Sequence, residues 1–131
     1  MPSSAKVEYL MDETVKTVLL VEDELPVREY VRTILDRDGF AVIEAKDGVE
    51  GFARARELGC HMALMVTDIK MPRMDGLALA EKVRELYPEV PVLLISGYAY
   101  PFTQPDGDYT LLQKPFRPAD LRHAVRNLMA A

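Results

Sequence analysis

The sequence predicts an α/β fold in which helices cover both faces of a doubly wound, five-stranded parallel sheet. Three observations lead to this prediction. Five short apolar runs alternate with segments whose apolar residues recur at helical spacing, which is typical of strand–helix repeats. The runs are almost continuously apolar, as expected of parallel strands buried on both faces. Several runs end at an acid, a hydroxyl or an amine, and ligands of doubly wound sheets bind at that carboxyl edge.

The first half of the fold contains two strands and two helices. Residues 17–21 form the first apolar run, Asp23 is placed to cap the helix that follows, and Pro26 lies in its first turn, where a missing N–H costs nothing. Residues 40–43 form the second strand, and the second helix opens at Asp47 and ends at Gly59. The side chains expected to face inward are Val27, Tyr30, Val31, Ile34 and Leu35 on the first helix and Val49, Phe52, Ala53 and Leu58 on the second.

The third strand and third helix flank a loop rich in turn residues. Residues 62–67 form an apolar run that reaches Asp68. Asp75 starts the third helix, which closes before Pro88,. Its inward side is expected to contain Leu77, Leu79, Ala80, Val83 and Leu86.

The last part of the chain departs from the regular alternation of strands and helices. Residues 90–95 and 109–113 form the fourth and fifth strands, and Pro118 begins the last helix. The interval 97–108 contains two prolines and two glycines, which disfavour a regular helix. We therefore expect the fourth helix of the fold, which would cross over in this interval, to be short or irregular.

Composition restricts the class of protein. The 131 residues are 49% hydrophobic and 28% charged, which fits one globular domain; residues 17–131 are assigned to it and residues 1–16 to an N-terminal extension. The net charge of −5 argues against a nucleic-acid-binding surface. No apolar run is long enough for a membrane span, and the N-terminus lacks the pattern of a signal peptide. The single cysteine, Cys60, excludes an internal disulfide, so we expect a cytoplasmic location.

The polar strand ends form a chemically consistent set. Glu22, Asp23 and Asp68 come from adjacent strand ends, and three carboxylates at close quarters favour a hard cation such as Mg²⁺. The cation would screen an incoming phosphate from Asp68, so that this carboxylate could act as a nucleophile. Lys114 would supply a positive charge for the phosphate. Ser96 would donate a hydrogen bond to a phosphoryl oxygen.

Four segments together resemble a known family: Val21-Glu22-Asp23-Glu24, the stretch from Val66 through Asp68 to Gly76, Ile95-Ser96-Gly97 and Lys114-Pro115-Phe116. They resemble the receiver domain of two-component response regulators, in order and spacing, from about residue 18 to residue 129. The resemblance implies a flavodoxin-like sheet with strand order 2-1-3-4-5.

The same resemblance implies a role for each matching residue. Asp68 would be the phosphoacceptor and, with Glu22, Asp23 and the backbone carbonyl of Lys70, would bind Mg²⁺. Lys114 would bind the phosphoryl group, and Ser96 would be the switch hydroxyl. The family's aromatic switch position is occupied by Leu111, so we expect the segment that contains Tyr98 to take over the switch. The sequence leaves open whether the Lys114–Pro115 bond is cis.

The leading hypothesis is a signalling receiver, not a separate enzyme. It would take a phosphoryl group from a histidine kinase or a histidine phosphotransfer protein onto Asp68 and signal to a downstream protein by contact, as a monomer or weak dimer. Six residues beside the acidic cluster would form an apolar partner surface, hereafter the rim: Leu25, Pro26, Met71, Pro72, Pro115 and Phe116.

Two alternatives remain. A phosphatase of the haloacid dehalogenase type also uses a strand-end aspartate and Mg²⁺, but it would need an acid at the position occupied by Lys70. A scaffold domain that is not phosphorylated would not require the acids, hydroxyl and lysine that this chain has.

Overall fold

The computed structural model describes residues 15–97 and 109–130. Strands and helices alternate along the chain as far as the fourth strand. In chain order the elements are β1 (Thr17–Val21), α1 (Leu25–Arg37), β2 (Ala41–Ala45), α2 (Gly48–Leu58), a 3-10 turn (Gly59–His61), β3 (Met62–Asp68), α3 (Gly76–Leu86), β4 (Val92–Ser96), β5 (Thr110–Gln113) and α4 (Pro118–Ala130). None of the helices in the described part of the chain is long and apolar enough to cross a membrane.

The five strands form one parallel sheet in the order β2-β1-β3-β4-β5. This confirms the predicted fold class and strand order. The register places Val21 beside Thr67 and Asp68 beside Ile95. The residues that follow the apolar runs therefore meet along one edge of the sheet.

Alternate residues of the central strands enter two separate cores, one on each face of the sheet. Leu19, Met65 and Leu94 lie in the core that α2 and α3 cover. Leu20 and Leu93 lie in the core that α1 and α4 cover. Both sides of the strands are thus withdrawn from water, which explains why the strand sequences show no alternation of apolar and polar residues.

Some details of the helices differ from the sequence predictions. The residue that caps α1 is Glu24 rather than Asp23, and no side chain makes the capping hydrogen bond. Tyr30, Val49 and Leu86 are exposed although their spacing predicted inward positions. Ala53 is exposed as well. Tyr30 and Leu86 lie at the border of a helix face, where helical spacing alone does not decide between core and solvent. Val49 and Ala53 lie on the side of α2 that faces away from its buried residues.

Glycines rather than larger residues form much of the buried face of α2. Gly48, Gly51, Ala55 and Leu58 are its buried residues. A Cβ atom at Gly51 would lie 2.9 Å from Cγ2 of Val21, so this helix packs closer to β1 than a side chain would allow. The apolar stripe predicted for α2 was wrong at Val49 and Ala53 because the face that packs on the sheet begins with Gly48 and Gly51, which carry no apolar side chain to mark it.

The interval 97–108, which includes Tyr98 and in which a short or irregular helix was predicted between β4 and β5, lies outside the described residues except for Gly97. Its irregularity and its switch role stay predictions.

Candidate functional site

Three polar side chains lie buried at the carboxyl edge of the sheet. Glu22, Asp68 and Ser96 expose only 1%, 5% and 2% of their surface. The backbone holds them in place, because the amide of Glu22 donates to the Ala45 carbonyl oxygen at 3.0 Å. Asp68 and Ser96 are themselves the last residues of β3 and β4. Buried polar groups of this kind are stable only when they are partnered.

Lys114 places a positively charged side chain at this edge of the sheet. Its amide donates to the carbonyl oxygen of Ser96 at 2.7 Å, which fixes the residue just beyond β5. Its Nζ lies 3.0 Å from Oε1 of Glu22 and 3.1 Å from Oδ2 of Asp68. One ammonium group therefore bridges two strand-end carboxylates. The Lys114–Pro115 bond, which the sequence left open, is cis.

Four acids gather around the same point. Glu22, Asp23, Glu24 and Asp68 each place a carboxylate oxygen within 4.8 Å of those of the others. Glu22 and Asp68 are buried, whereas Asp23 and Glu24 face solvent. Carboxylate oxygens are the ligands of hard cations, and Mg²⁺ also keeps several waters, which the exposed side would supply. The residues thus fit a divalent cation.

Burial and neighbouring charges shift the pKa values of two groups at the site. Burial, opposed in part by hydrogen bonds from the Glu24 amide and Lys114, raises the pKa of Glu22 to about 7. The nearby Asp68 carboxylate adds to this increase. Burial lowers the pKa of Lys114, but its hydrogen bonds to Glu22 and Asp68 outweigh that effect and raise the pKa above its ordinary value. A single lysine does not fully compensate these acids, which favours an additional cation.

The loop after Asp68 is held in a tight turn. The amide of Gly76 donates to the Ile69 carbonyl oxygen at 2.7 Å, and a Cβ atom at Gly76 would collide with the carbonyl oxygen of Asp68. Arg73 adopts a left-handed backbone conformation with φ of 71°. Its guanidinium lies 3.2 Å from Oδ2 of Asp47, the buried cap of α2. The loop is therefore tied to α2 on its outer side.

The remaining predicted residues lie around this cluster. The side chain of Lys70 is exposed, two residues after Asp68. Leu111 is half-buried and packs against the core of α2 and α3. Two residues earlier, Tyr109 is buried, and the guanidinium of Arg84 lies 5.2 Å from its ring centre.

The predicted rim needs one correction. Leu25, Pro26, Pro72 and Pro115 are exposed and Phe116 is half-buried. Met71 exposes only 9% and belongs to the core of α2 and α3, so it offers little surface to a partner. Along this loop buried and exposed residues alternate: Ile69 and Met71 point inward, and Lys70 and Pro72 are exposed.

Exposed Tyr30 joins two parts of the rim. Its hydroxyl donates to the carbonyl oxygen of Phe116 at 3.0 Å, and the two rings lie 5.8 Å apart. The residues from α1 and those before α4 are thus held together.

Sequence reasoning missed two participants. Glu24 belongs to the acidic cluster, and its amide donates to Oε2 of Glu22 at 3.0 Å; its place directly after two acids was a usable signal. Arg28 on α1 donates to the carbonyl oxygen of Glu22 at 2.7 Å. Its sequence position carries no signal that separates it from Arg32 or Arg37.

Sequence comparison identifies the family of the chain. Residues 18–126 match the model of the response regulator receiver domain, and the chain belongs to this family. The family's function is phosphorylation-dependent signalling in two-component systems, and this chain is such a receiver.

Two curated relatives from Brucella abortus are similar over most of this chain. The response regulator receiver protein CpdR is 32% identical over 120 residues, which cover 88% of this chain and 98% of CpdR. The sensor kinase CckA is 37% identical over 117 residues, which cover 86% of this chain but only 12% of the kinase. The match thus includes both a short receiver protein and one part of a long kinase.

Solved structures give the same result. The receiver domain of the hybrid histidine kinase CckA has a TM-score of 0.76 and 34% identity, covering 86% of this chain and 98% of that domain. CheY from Borrelia burgdorferi, in a complex described as CheX-CheY-BeF3-Mg, has a TM-score of 0.79 and 26% identity, covering 85% of this chain and 87% of that one.

Proposed function

We propose that Asp68 accepts a phosphoryl group from a phosphohistidine of a histidine kinase or histidine phosphotransfer protein. The observation that carries this proposal is the bridging of Asp68 and Glu22 by the Lys114 ammonium at 3.1 and 3.0 Å. An acceptor carboxylate at a sheet edge, next to one cation and three further acids, has the charges that phosphoryl transfer requires.

In the proposed reaction a carboxylate oxygen of Asp68 forms a bond to phosphorus. The phosphorus–nitrogen bond of the phosphohistidine breaks, and the imidazole leaves with the electron pair. Lys114 already lies beside Asp68 and would neutralise part of the charge on the transferred group. Hydrolysis of the acyl phosphate by water would return the carboxylate.

Mg²⁺ is the cofactor that the proposal assigns to Glu22, Asp23, Asp68 and the backbone carbonyl of Lys70. When bound, the ion would screen the repulsion between these carboxylates and the incoming phosphoryl group. Glu24 would add negative charge at the outer side of the site. The four-acid cluster supports this assignment, as does the Mg²⁺ named for the related CheY complex.

The signal would pass through protein contacts. The new group adds close to two negative charges, and Ser96, with the segment around Tyr98, would respond to it. The rim, without Met71, would contact the kinase or phosphotransfer protein, and a downstream protein would read the changed surface. The chain would act as a monomer or weak dimer and catalyse only its own phosphorylation and dephosphorylation.

We also propose the domain limits and location. Residues 17–131 would form the receiver, with residues 1–16 as an extension. A cytoplasmic location would suit the exposed free thiol of Cys60, since thiols persist in reducing compartments. No specific observation favours the phosphatase or the scaffold reading.

Incubation with acetyl phosphate and MgCl₂, followed by intact-mass measurement, tests the acceptor. The wild-type protein is expected to gain one phosphoryl group and Asp68→Asn none. Asp75→Asn is the matched control, because Asp75 caps α3 in the same loop and asparagine caps equally well. Equal phosphorylation of Asp68→Asn and wild type would overturn the assignment.

A further inference from the structure

Every polar atom of Glu22 has a partner from a different part of the chain. Its amide donates to the carbonyl oxygen of Ala45 in β2. Its Oε1 accepts from Lys114 and its Oε2 from the amide of Glu24. Its carbonyl oxygen accepts from Nη1 of Arg28, at 2.7 Å. The residue that starts the acidic cluster is therefore fixed on all sides.

Arg28 is the only side-chain donor to the main chain of Glu22 among the described residues, and it is itself held. Its Nε lies 3.3 Å from Oε1 of Glu44 in β2, and its side chain is 17% exposed. The guanidinium thus joins three elements: α1, the end of β1 and β2. A planar group with donors on two sides is suited to such a fixed junction, because both bonds set its orientation.

We infer that Arg28 is a positioning residue for the cation site of this receiver. It acts through the main chain: by fixing the Glu22 carbonyl, it sets the direction in which residues 22–24 leave β1. That direction decides whether the carboxylates of Glu22, Asp23 and Glu24 converge on Asp68. Groups that orient metal ligands without touching the metal commonly change metal affinity 10- to 100-fold when removed.

Arg32 provides an internal comparison. It lies one helical turn further along α1 and also pairs with Glu44, at 3.6 Å from Nε to Oε2. Its other ion pair is with Asp36 on the same helix. It thus shares helix, charge and partner with Arg28 but makes its contacts away from Glu22. A role specific to the carbonyl of Glu22 should belong to Arg28 alone.

This inference rests on the proposed function, and a titration with MgCl₂ tests the two separately. The readout is the amide chemical shifts of residues 22–24 and 68–70, which report binding without phosphorylation. For Arg28→Gln we expect the apparent Kd for Mg²⁺ to rise about tenfold. Phosphorylation by acetyl phosphate should slow at low Mg²⁺ and recover when Mg²⁺ saturates the site. Arg32→Gln is expected to titrate like wild type.

Two further variants keep the test valid if Arg28→Gln folds poorly. Arg28→Lys retains the charge but cannot hold both partners, so we expect an intermediate Kd. Glu44→Gln removes the group that orients Arg28 and should shift the Kd in the same direction by less. An unchanged Kd in these variants, or an equal shift in Arg32→Gln, would overturn the positioning role. A wild-type protein that binds no Mg²⁺ would instead overturn the proposed cofactor.

Discussion

The interior of the central strands and their carboxyl ends are equally buried but chemically opposite. Leu19, Leu20 and Val21 are fully buried among apolar neighbours, and the next residue, Glu22, is an almost equally buried acid. The strand interiors gain free energy from burial, about 1.5–3 kcal/mol for each large side chain. The strand ends hold charges that burial disfavours. The interior therefore stabilises the fold, whereas the edge provides the chemistry.

The largest loss of stability is expected from a substitution in the apolar interior. Leu121 is fully buried on α4, in the core shared with α1. Leu121→Ala should reduce the free energy of unfolding by about 2–5 kcal/mol, because it leaves a cavity. Chemical denaturation measures this loss, and a Mg²⁺ titration of the folded variant should match wild type. A large change in Mg²⁺ affinity would show that interior and edge are not separable.

Removing the ammonium group of Lys114 should lower the free energy of unfolding by less than Leu121→Ala does, and the loss should depend on pH. Lys114→Ala leaves the buried Glu22 without its positive partner, which should cost roughly 1–3 kcal/mol at pH 8. The cost should shrink near pH 5.5, because Glu22 becomes protonated below its pKa of about 7. Denaturation at both pH values checks this.

Phosphorylation and partner binding should also differ between Lys114→Ala, Lys114→Arg and the wild-type protein. Lys114→Ala should fold, since no core volume is lost, but accept phosphate slowly or fail to transmit the change. Lys114→Arg should rescue only partly, because a planar fork does not replace a compact ammonium. Wild-type phosphorylation and partner binding in both variants would contradict the role of this lysine.

Mg²⁺ should relieve the electrostatic cost at the edge. The folded pKa of Glu22 lies above its unfolded value, so the folded state binds more protons and stability falls as pH rises from about 4.5 to 7. Above pH 7 this carboxylate is ionised, and Mg²⁺ no longer competes with a proton for it. At tenfold excess over its Kd, Mg²⁺ should stabilise the fold by about 1.4 kcal/mol.

Thermal unfolding with and without MgCl₂ measures this effect. The increase in Tm should be larger at pH 8 than at pH 5.5, and it should be much reduced in Asp23→Ala, which removes an exposed carboxylate of the cluster. An increase that is equal in wild type and Asp23→Ala would place the ion elsewhere.

The smallest effect concerns the loop beside the site. Arg73 has a positive φ of 71°, which costs a residue with a side chain about 1 kcal/mol more than glycine. Both Arg73→Ala and Arg73→Gly lose the ion pair with Asp47. Only the alanine variant retains the free-energy cost of a positive φ at a residue with a side chain. We expect Arg73→Ala to be less stable than Arg73→Gly by up to about 1 kcal/mol. Equal stabilities would show that the loop relaxes.

Most of the fold was predictable because the central strands are almost continuously apolar and most of the helices carry clear signals at their ends. Asp47 and Asp75 cap α2 and α3 as predicted. The buried glycine face of α2 was not predictable, since Gly51 is selected by its distance to Val21. Spacing along a helix does not reveal how closely that helix approaches the sheet.

The site was partly predictable for a related reason. Parallel strands end at one edge, so Glu22, Asp68, Ser96 and Lys114 were expected to meet there, and the structure brings them together. The contribution of Arg28 to the site was not predictable, because its hydrogen bond to the Glu22 carbonyl oxygen depends on how α1 crosses β1 and β2.

The most direct measurement of the central claim is chemical location of the phosphoryl group. Borohydride reduces an aspartyl phosphate to homoserine, which peptide mass spectrometry places in the sequence. After incubation with acetyl phosphate and MgCl₂, we predict homoserine at position 68 and none at Asp23 or Asp75. Homoserine at another aspartate, or none in a protein shown to be phosphorylated, would contradict the assignment of Asp68 as the acceptor.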